Sequence, residues 1–250
     1  HFEDETSKYF DKPYSGFWNT ILADDFNHDG HPDLVVGNYG TNSHLQAGDK
    51  EPVTMVYKDF GNNGSINPIL CSYVQGKSYP FLGRDQLFDQ MPFLRKRFPT
   101  YKSFANATLS DMFTKQELQG ADTLSANDLK TEYFQWENGK FVEKPLPIEA
   151  QFSPVYKIIA LDYNGDGNKD LLLLGNNRHV QVRLGRYDAN YGILLKGDGK
   201  GNFTYVPQDV SGFKIEGDVR SAETIKQNNK QILLFGINNR AVEAYQLNDK

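Results

Sequence analysis

The chain has 250 residues, 38% hydrophobic and 13% aromatic, with 22 glycines and a net charge of −5. That length can bury a sizeable core, and the glycine- and aromatic-rich mix suits a turn-rich β protein better than a helical bundle. The acidic balance excludes a general attraction to nucleic acid. A single cysteine, Cys71, excludes an internal disulfide, and no run of about 18 apolar residues is present to span a membrane as a helix.

The chain begins at His1 rather than Met and reads as a mature or trimmed fragment. Residues 1–10, with Phe2-Glu-Asp-Glu-Thr6, are expected to lend an edge strand to the last repeat. Ile21 to Asn38 reads as apolar strand, polar loop, apolar strand, then Gly-Asn. Val53 to Leu70 reads as a hairpin turning about Gly61-Asn-Asn-Gly64, which completes a first unit at about 17–83. From 84 to 129 the pattern turns helical: Asp85 to Met91 and Ser110 to Leu118 are the expected helices, Ser110 is read as an N-cap, and Pro92 and Pro99 are breaks. This insertion of two or three short helices carries Arg95, Arg97, Tyr101 and Lys102. Those four are candidate ligand-binding residues for an acidic sugar, with a solvated helix face as the plainer alternative.

Tyr133 to Val142 is a short hairpin turning at Asn138-Gly139, in a unit at 130–150. Ile159 to Asn176 then repeats Ile21 to Asn38 without a gap, and the hairpin Tyr191 to Tyr205 follows, giving a unit at 155–207. A third copy, Ala222 to Asn239 in a unit at 218–250, keeps its apolar strand Ile232 to Gly236. Its loop, Lys226 to Gln231, has lost the carboxylates. Two strands about an acidic loop followed by a hairpin make four strands, the plan of a propeller blade. The expected fold is all-β: a β-propeller or partial propeller of four-stranded blades with calcium loops, plus a small α-helical insertion. A β-sandwich with similar hairpins is the alternative.

The acidic loops carry the chemistry. Asp25, Asn27, Asp29 and Asp33 stand at positions 1, 3, 5 and 9 of the first, and Asp162, Asn164, Asp166 and Asp170 at the same positions of the second. Gly30 and Gly167 occupy position 6, where the chain must turn sharply. His31 and Asn168, at position 7, would offer backbone carbonyls. Calcium takes about 6–8 hard oxygen ligands in a loose geometry, which such loops can supply with water; two calcium sites are expected. An EF-hand would need a glutamate at position 12, where Val36 and Leu173 stand instead. Metal-free Asp/Asn turns are the alternative. His28 and His31 do not point to zinc, because Gly165 and Asn168 replace them in the second loop.

These loops resemble the FG-GAP/VCBS repeats of integrin-α-like β-propellers, over Thr20 to Asn38, Lys157 to Pro207 and, weakly, Val219 to Leu247. Phe81-Leu-Gly-Arg-Asp85 and Phe98 to Phe104 are similar to large FG-GAP/VCBS proteins of Bacteroidetes, which tend to be exported. The resemblance implies calcium that stiffens blades, a place outside the cell, on its surface or in the periplasm, and a non-enzymatic platform that engages glycan or another envelope protein. No Gly-x-Ser-x-Gly, His-Glu-x-x-His or phosphate loop occurs, and Glu132 and Glu137 have no partner visible in the sequence. A carbohydrate-active enzyme with a site near the insertion, and a structural segment of a larger chain, are the other readings.

Overall fold

The computed structural model describes residues 1–228 and 230–247. Its strands are Thr20–Asp24 (β1), Asp33–Gly37 (β2), Val53–Lys58 (β3), Asn67–Val74 (β4), Lys77–Pro80 (β5), Asp122–Ala126 (β6), Glu132–Glu137 (β7), Lys140–Lys144 (β8), Val155–Leu161 (β9), Asp170–Gly175 (β10), Ile193–Gly197 (β11), Phe203–Val206 (β12), Val219–Gln227 (β13), Lys230–Ile237 (β14) and Glu243–Gln246 (β15). They form four antiparallel sheets, ordered β1-β2-β7-β8, β12-β11-β10-β9, β13-β14-β15 and β5-β4-β3-β6. By contacts the chain divides into two compact units. One comprises His1–Pro13, Phe17–His44 and Leu129–Lys250; the other comprises Tyr14–Gly16 and Leu45–Asp128.

In the first unit, β9 to β12 form a meander in chain order. The sheet of β1, β2, β7 and β8 has the same plan, but its second hairpin arrives only after residues 45–128. The expected grouping of 17–83 as one unit is therefore corrected. The free edge of β2 pairs with β7, Leu34 opposite Phe134 and Val36 opposite Glu132, while β3 pairs with β6. The turn at Asn138-Gly139 has φ of 52° and 86°, as a two-residue hairpin turn with right-handed strand twist requires.

The run Leu171-Leu-Leu-Leu174 explains how the sheets stack. Side chains alternate across a strand, so a strand covered on both faces must be apolar throughout. Leu171 and Leu173 join Phe26, Val35 and Tyr133 in one core. Leu172 and Leu174 join Phe235, Val219 and Ile237 in another. Sheet β9–β12 is thus sandwiched between its two neighbours within the unit.

The Gly-Asn pairs that close the repeats are seams. A Cβ on Gly175 would lie 1.7 Å from the Pro154 carbonyl oxygen, and one on Gly37 would lie 2.8 Å from that of Val155. Asn176, buried, donates to the carbonyls of Asn190 and Gly217 and accepts from the Asn190 N–H. Asn38 accepts from the N–H groups of Phe17 and Tyr39.

Two expectations at the chain ends are corrected. Thr6–Tyr9 is a single helical turn, and Phe10 stacks on Phe141 at 5.3 Å and meets Phe134 edge-on. The aromatic ring draws the N-terminal segment to the β7–β8 hairpin, and β13-β14-β15 has three strands among the described residues. In the third copy β13 and β14 pair as far as Gln227 and Lys230, so Lys226, Gln227, Lys230 and Gln231 of the expected loop Lys226 to Gln231 are strand residues. Asn229 and the last three residues of the expected 218–250 unit lie outside the described residues.

In the second unit, sheet β5-β4-β3-β6 carries five short helices rather than two or three: Arg84–Gln90, Leu94–Arg97, Tyr101–Phe104, Leu109–Met112 and Lys115–Leu118. Leu87, Phe88, Met91 and Met112 pack with Ile69 and Cys71 of β4, and burial pushes the Cys71 thiol up to about 11. Ser110 lies inside a helix instead of capping one. Thr108 and Thr114 are the caps, paired with Asp111 and Glu117, because each has a carboxylate three residues on. No described helix is long and apolar enough to cross a membrane.

The seam predicts a sharp contrast. Gly175→Ala should lower stability by about 1–3 kcal/mol or more through overpacking, read as the urea midpoint. Gly48→Ala, with open space around its Cβ, should leave it nearly unchanged.

Candidate metal centre

Each acidic loop is folded by its own side chains. Asp25 accepts the N–H groups of Asp29 (3.3 Å) and Gly30 (3.0 Å), and Asp29 accepts that of His31 at 2.8 Å. In the second loop Asp162 accepts from Asp166 (3.2 Å) and Gly167 (2.9 Å), and Asp166 from Asn168 at 2.9 Å. Gly30 and Gly167 have φ of 85° and 84°, the left-handed region that costs glycine least. Asn27 and Asn164 turn inward as well: the Asp29 N–H lies within reach of oxygens from both Asp25 and Asn27, and the Asp166 N–H of oxygens from both Asp162 and Asn164. The structure therefore brings positions 1, 3 and 5 together in both loops.

Position 9 is different. Asp33 and Asp170 are fully buried at the first residue of β2 and β10. Asp170 accepts from the Tyr163 N–H of its own loop and from the Gly197 N–H of β11, both at 2.9 Å. Asp33 accepts from the Phe26 N–H, from the Trp136 N–H of β7 and from the Tyr133 hydroxyl at 2.8 Å. Burial raises both carboxyls above the ordinary range. At the exposed end of the loops, by contrast, the Asn168 N–H, the Asn164 amide and the Lys196 ammonium hold Asp166 down to about 2. The Asn27 amide and the His31 N–H lower Asp29.

The two loops adjoin. His28 Nε2 lies 3.3 Å from Asn168 Oδ1, and Lys169 pairs with Asp24. The loops differ in one charge: Lys196 sits 3.0 Å from Asp166, whereas Asp29 has no such cation beside it among the described residues. No three carboxylate, imidazole or thiolate side chains converge as a ready cage among the described residues. Each loop offers a mixed set instead: the carboxylates of positions 1 and 5 and the amide oxygen of position 3 come together, with the position-9 carboxylate buried at the start of the next strand. This all-oxygen set fits a hard divalent cation of flexible coordination such as calcium. Each carboxylate oxygen keeps lone pairs beyond those its N–H partners use.

The other predicted residues are placed plainly. Arg95 pairs with Asp89 at 2.9 Å and Arg97 with Glu117 at 2.5 Å; the Tyr101 hydroxyl donates to Asp85 at 2.6 Å, and Lys102 is exposed. The two arginines are thus each paired with a carboxylate. Glu132 and Glu137 have partners after all, Lys130, two residues before Glu132, and Lys144 across the β7–β8 hairpin. Two of the clefts bring together residues remote in sequence. One in the second unit, about 470 Å³, is lined by Lys77, Tyr79, Phe104 and Asn106. The other, in the first unit, about 270 Å³, is lined by Arg178, His179, Arg186, Asp218 and Arg240. Loops remote in sequence build both, so no local motif marks them.

A family model described as FG-GAP repeat matches residues 17–52, which hold the first acidic loop. No curated protein matches the chain.

Two measurements probe this framework. Tyr133→Phe deprives buried Asp33 of a donor and should cost about 1–3 kcal/mol in urea unfolding. The Arg97 guanidinium, helped by the Thr114 N–H, holds Glu117 down to about 2 from an ordinary 4.5. The stability this provides is complete above the ordinary value and is lost as pH falls toward 2. Glu117→Gln should therefore flatten the fall in melting temperature between about pH 5 and pH 2.

Proposed function

We propose that this chain, which carries an FG-GAP repeat, is a calcium-stabilised β-propeller-type module, exported from the cell, that binds glycan or protein without catalysing a reaction. The observation that carries the calcium part is the double occurrence of one loop. Two segments far apart in sequence set the same oxygens at positions 1, 3, 5 and 9 and the same N–H contacts between paired strands. Three carboxylates confined to nine residues repel one another, and a bound divalent cation reverses the sign of that interaction. The cation would be held by Asp25, Asn27, Asp29, Asp33 and the His31 carbonyl in the first loop. In the second it would be held by Asp162, Asn164, Asp166, Asp170 and the Asn168 carbonyl. Its role is to stiffen the turn between two strands.

The four-stranded plan shared by the first two sheets, and their stacking through apolar faces, supports blades of the propeller type. FG-GAP repeats occur mainly in extracellular proteins, which supports export. The binding role is supported by the second unit's cleft, where the Tyr79 and Phe104 rings stand beside Lys77 and Asn106. Rings flanked by hydrogen-bonding groups suit sugar or peptide.

Calorimetric melting with and without chelator tests the calcium reading. Calcium at 100 times its Kd should add about 2.7 kcal/mol per site, and each kcal/mol should raise Tm by about 2–4 °C at this chain length. Asp29→Ala with Asp166→Ala should abolish the response. A melting curve that chelation leaves in place would overturn the reading.

A further inference from the structure

The segment Asp59 to Asn67 joins β3 to β4 in the second unit. It reads in sequence as a hairpin about Gly61-Asn-Asn-Gly64, but its geometry is that of the acidic loops. Lys58 pairs with Asn67, as Asp24 pairs with Asp33 and Leu161 with Asp170. Asp59, in position 1, accepts the N–H groups of Asn63 (3.1 Å) and Gly64 (2.7 Å). Asn63, in position 5, accepts that of Ser65 at 3.0 Å. Positions 4 and 6 have positive φ in all three loops: 49° and 84° at Asn62 and Gly64, 59° and 85° at His28 and Gly30, 74° and 84° at Gly165 and Gly167. Phe60 takes the aromatic place of Phe26 and Tyr163, and stacks on Phe113 at 4.3 Å.

The side chains that would meet a cation are what differ. Gly61 replaces the asparagine of position 3, Asn63 the aspartate of position 5, and Asn67 the buried aspartate of position 9, leaving Asp59 as the one carboxylate of the set. Asn67 is 6% exposed. Its Oδ1 has no hydrogen-bond partner, while the Phe60 N–H, which the alignment would direct to it, bonds to the Lys58 carbonyl at 3.0 Å. A buried acceptor without a donor is costly, and it stands where the other loops place a carboxylate.

We infer that Asp59–Asn67 is a third loop of the same frame from which divalent-cation binding has been removed, so that this hairpin is held without metal, and that three substitutions return the site. The inference rests on the calcium reading of the other two loops. Titration calorimetry with calcium chloride should count two sites in the unmodified chain and three in Gly61→Asn/Asn63→Asp/Asn67→Asp. Because Asn67→Asp buries a charge, Gly61→Asn/Asn63→Asp serves as the second variant. Both of its positions are exposed, and it should show a third, weaker event. Three sites in the unmodified chain overturn the inference, as does the lack of an added site in both variants. If the unmodified chain binds no calcium, the reading of the first two loops fails alone: one site gained in either variant still upholds the inference, and none in both overturns it.

Discussion

The carboxylates of Asp33 and Asp170 are withdrawn from water, and each is held by N–H groups arriving from two directions. One comes from the turn that precedes the strand and the other from the strand paired beside it. A buried carboxylate without such partners is costly enough that it would ordinarily take a proton. Loop, second strand and third strand are therefore committed together: moving any of them exposes an unpaired charge. The exposed end of each loop has the opposite character. Asp29 and Asp166 are lowered rather than raised, and they lie open to solvent. A loop built this way is anchored by its last residue and exposed at its tip.

Burial on both faces of β10 follows from the same placement. Asp170 begins a strand whose next four residues are leucine, so one buried charge is followed by side chains that alternate between two cores. The adjoining glycine and asparagine finish the element differently. Gly175 brings backbone against backbone, and Asn176 supplies hydrogen bonds to segments that belong to no sheet ladder. An acidic start, an apolar middle and a Gly-Asn end are three solutions to one problem. The strand is surrounded, so every polar group on it must find a partner inside the protein.

What the sequence made legible was local. The acidic loops, the Asn138-Gly139 turn, the hairpin Tyr191 to Tyr205 and the repeated strand pairs could all be read, because each depends on residues at fixed short spacings. Partnership across long spans could not be read in this way. Nothing in β2 states that its neighbour is β7, and the same apolar alternation suited β3. Phe10 was assigned to a strand because its acidic surroundings hid an aromatic anchor. The loop Asp59 to Asn67 is hidden for a more instructive reason: charges mark the first two loops in sequence, whereas the backbone needs only an acceptor at position 1 and permissive residues at positions 4 and 6. Frame and ligand set are separable properties of such a loop, and only the second is conspicuous in sequence.

The long excursion between β2 and β7 also orders events in time. Sheet β9–β12 closes within one short stretch of chain, so its strands meet at small entropic cost. The sheet of β1, β2, β7 and β8 must wait for an entire second unit to be traversed before its middle pair can zip, and closure of so long a loop slows such pairing. During synthesis β2 emerges before β7, with an unsatisfied edge. The helix-bearing segment lies between that edge and its partner in the chain order, so the half-built sheet is the stage at which an intruding strand from another chain would find a place to add.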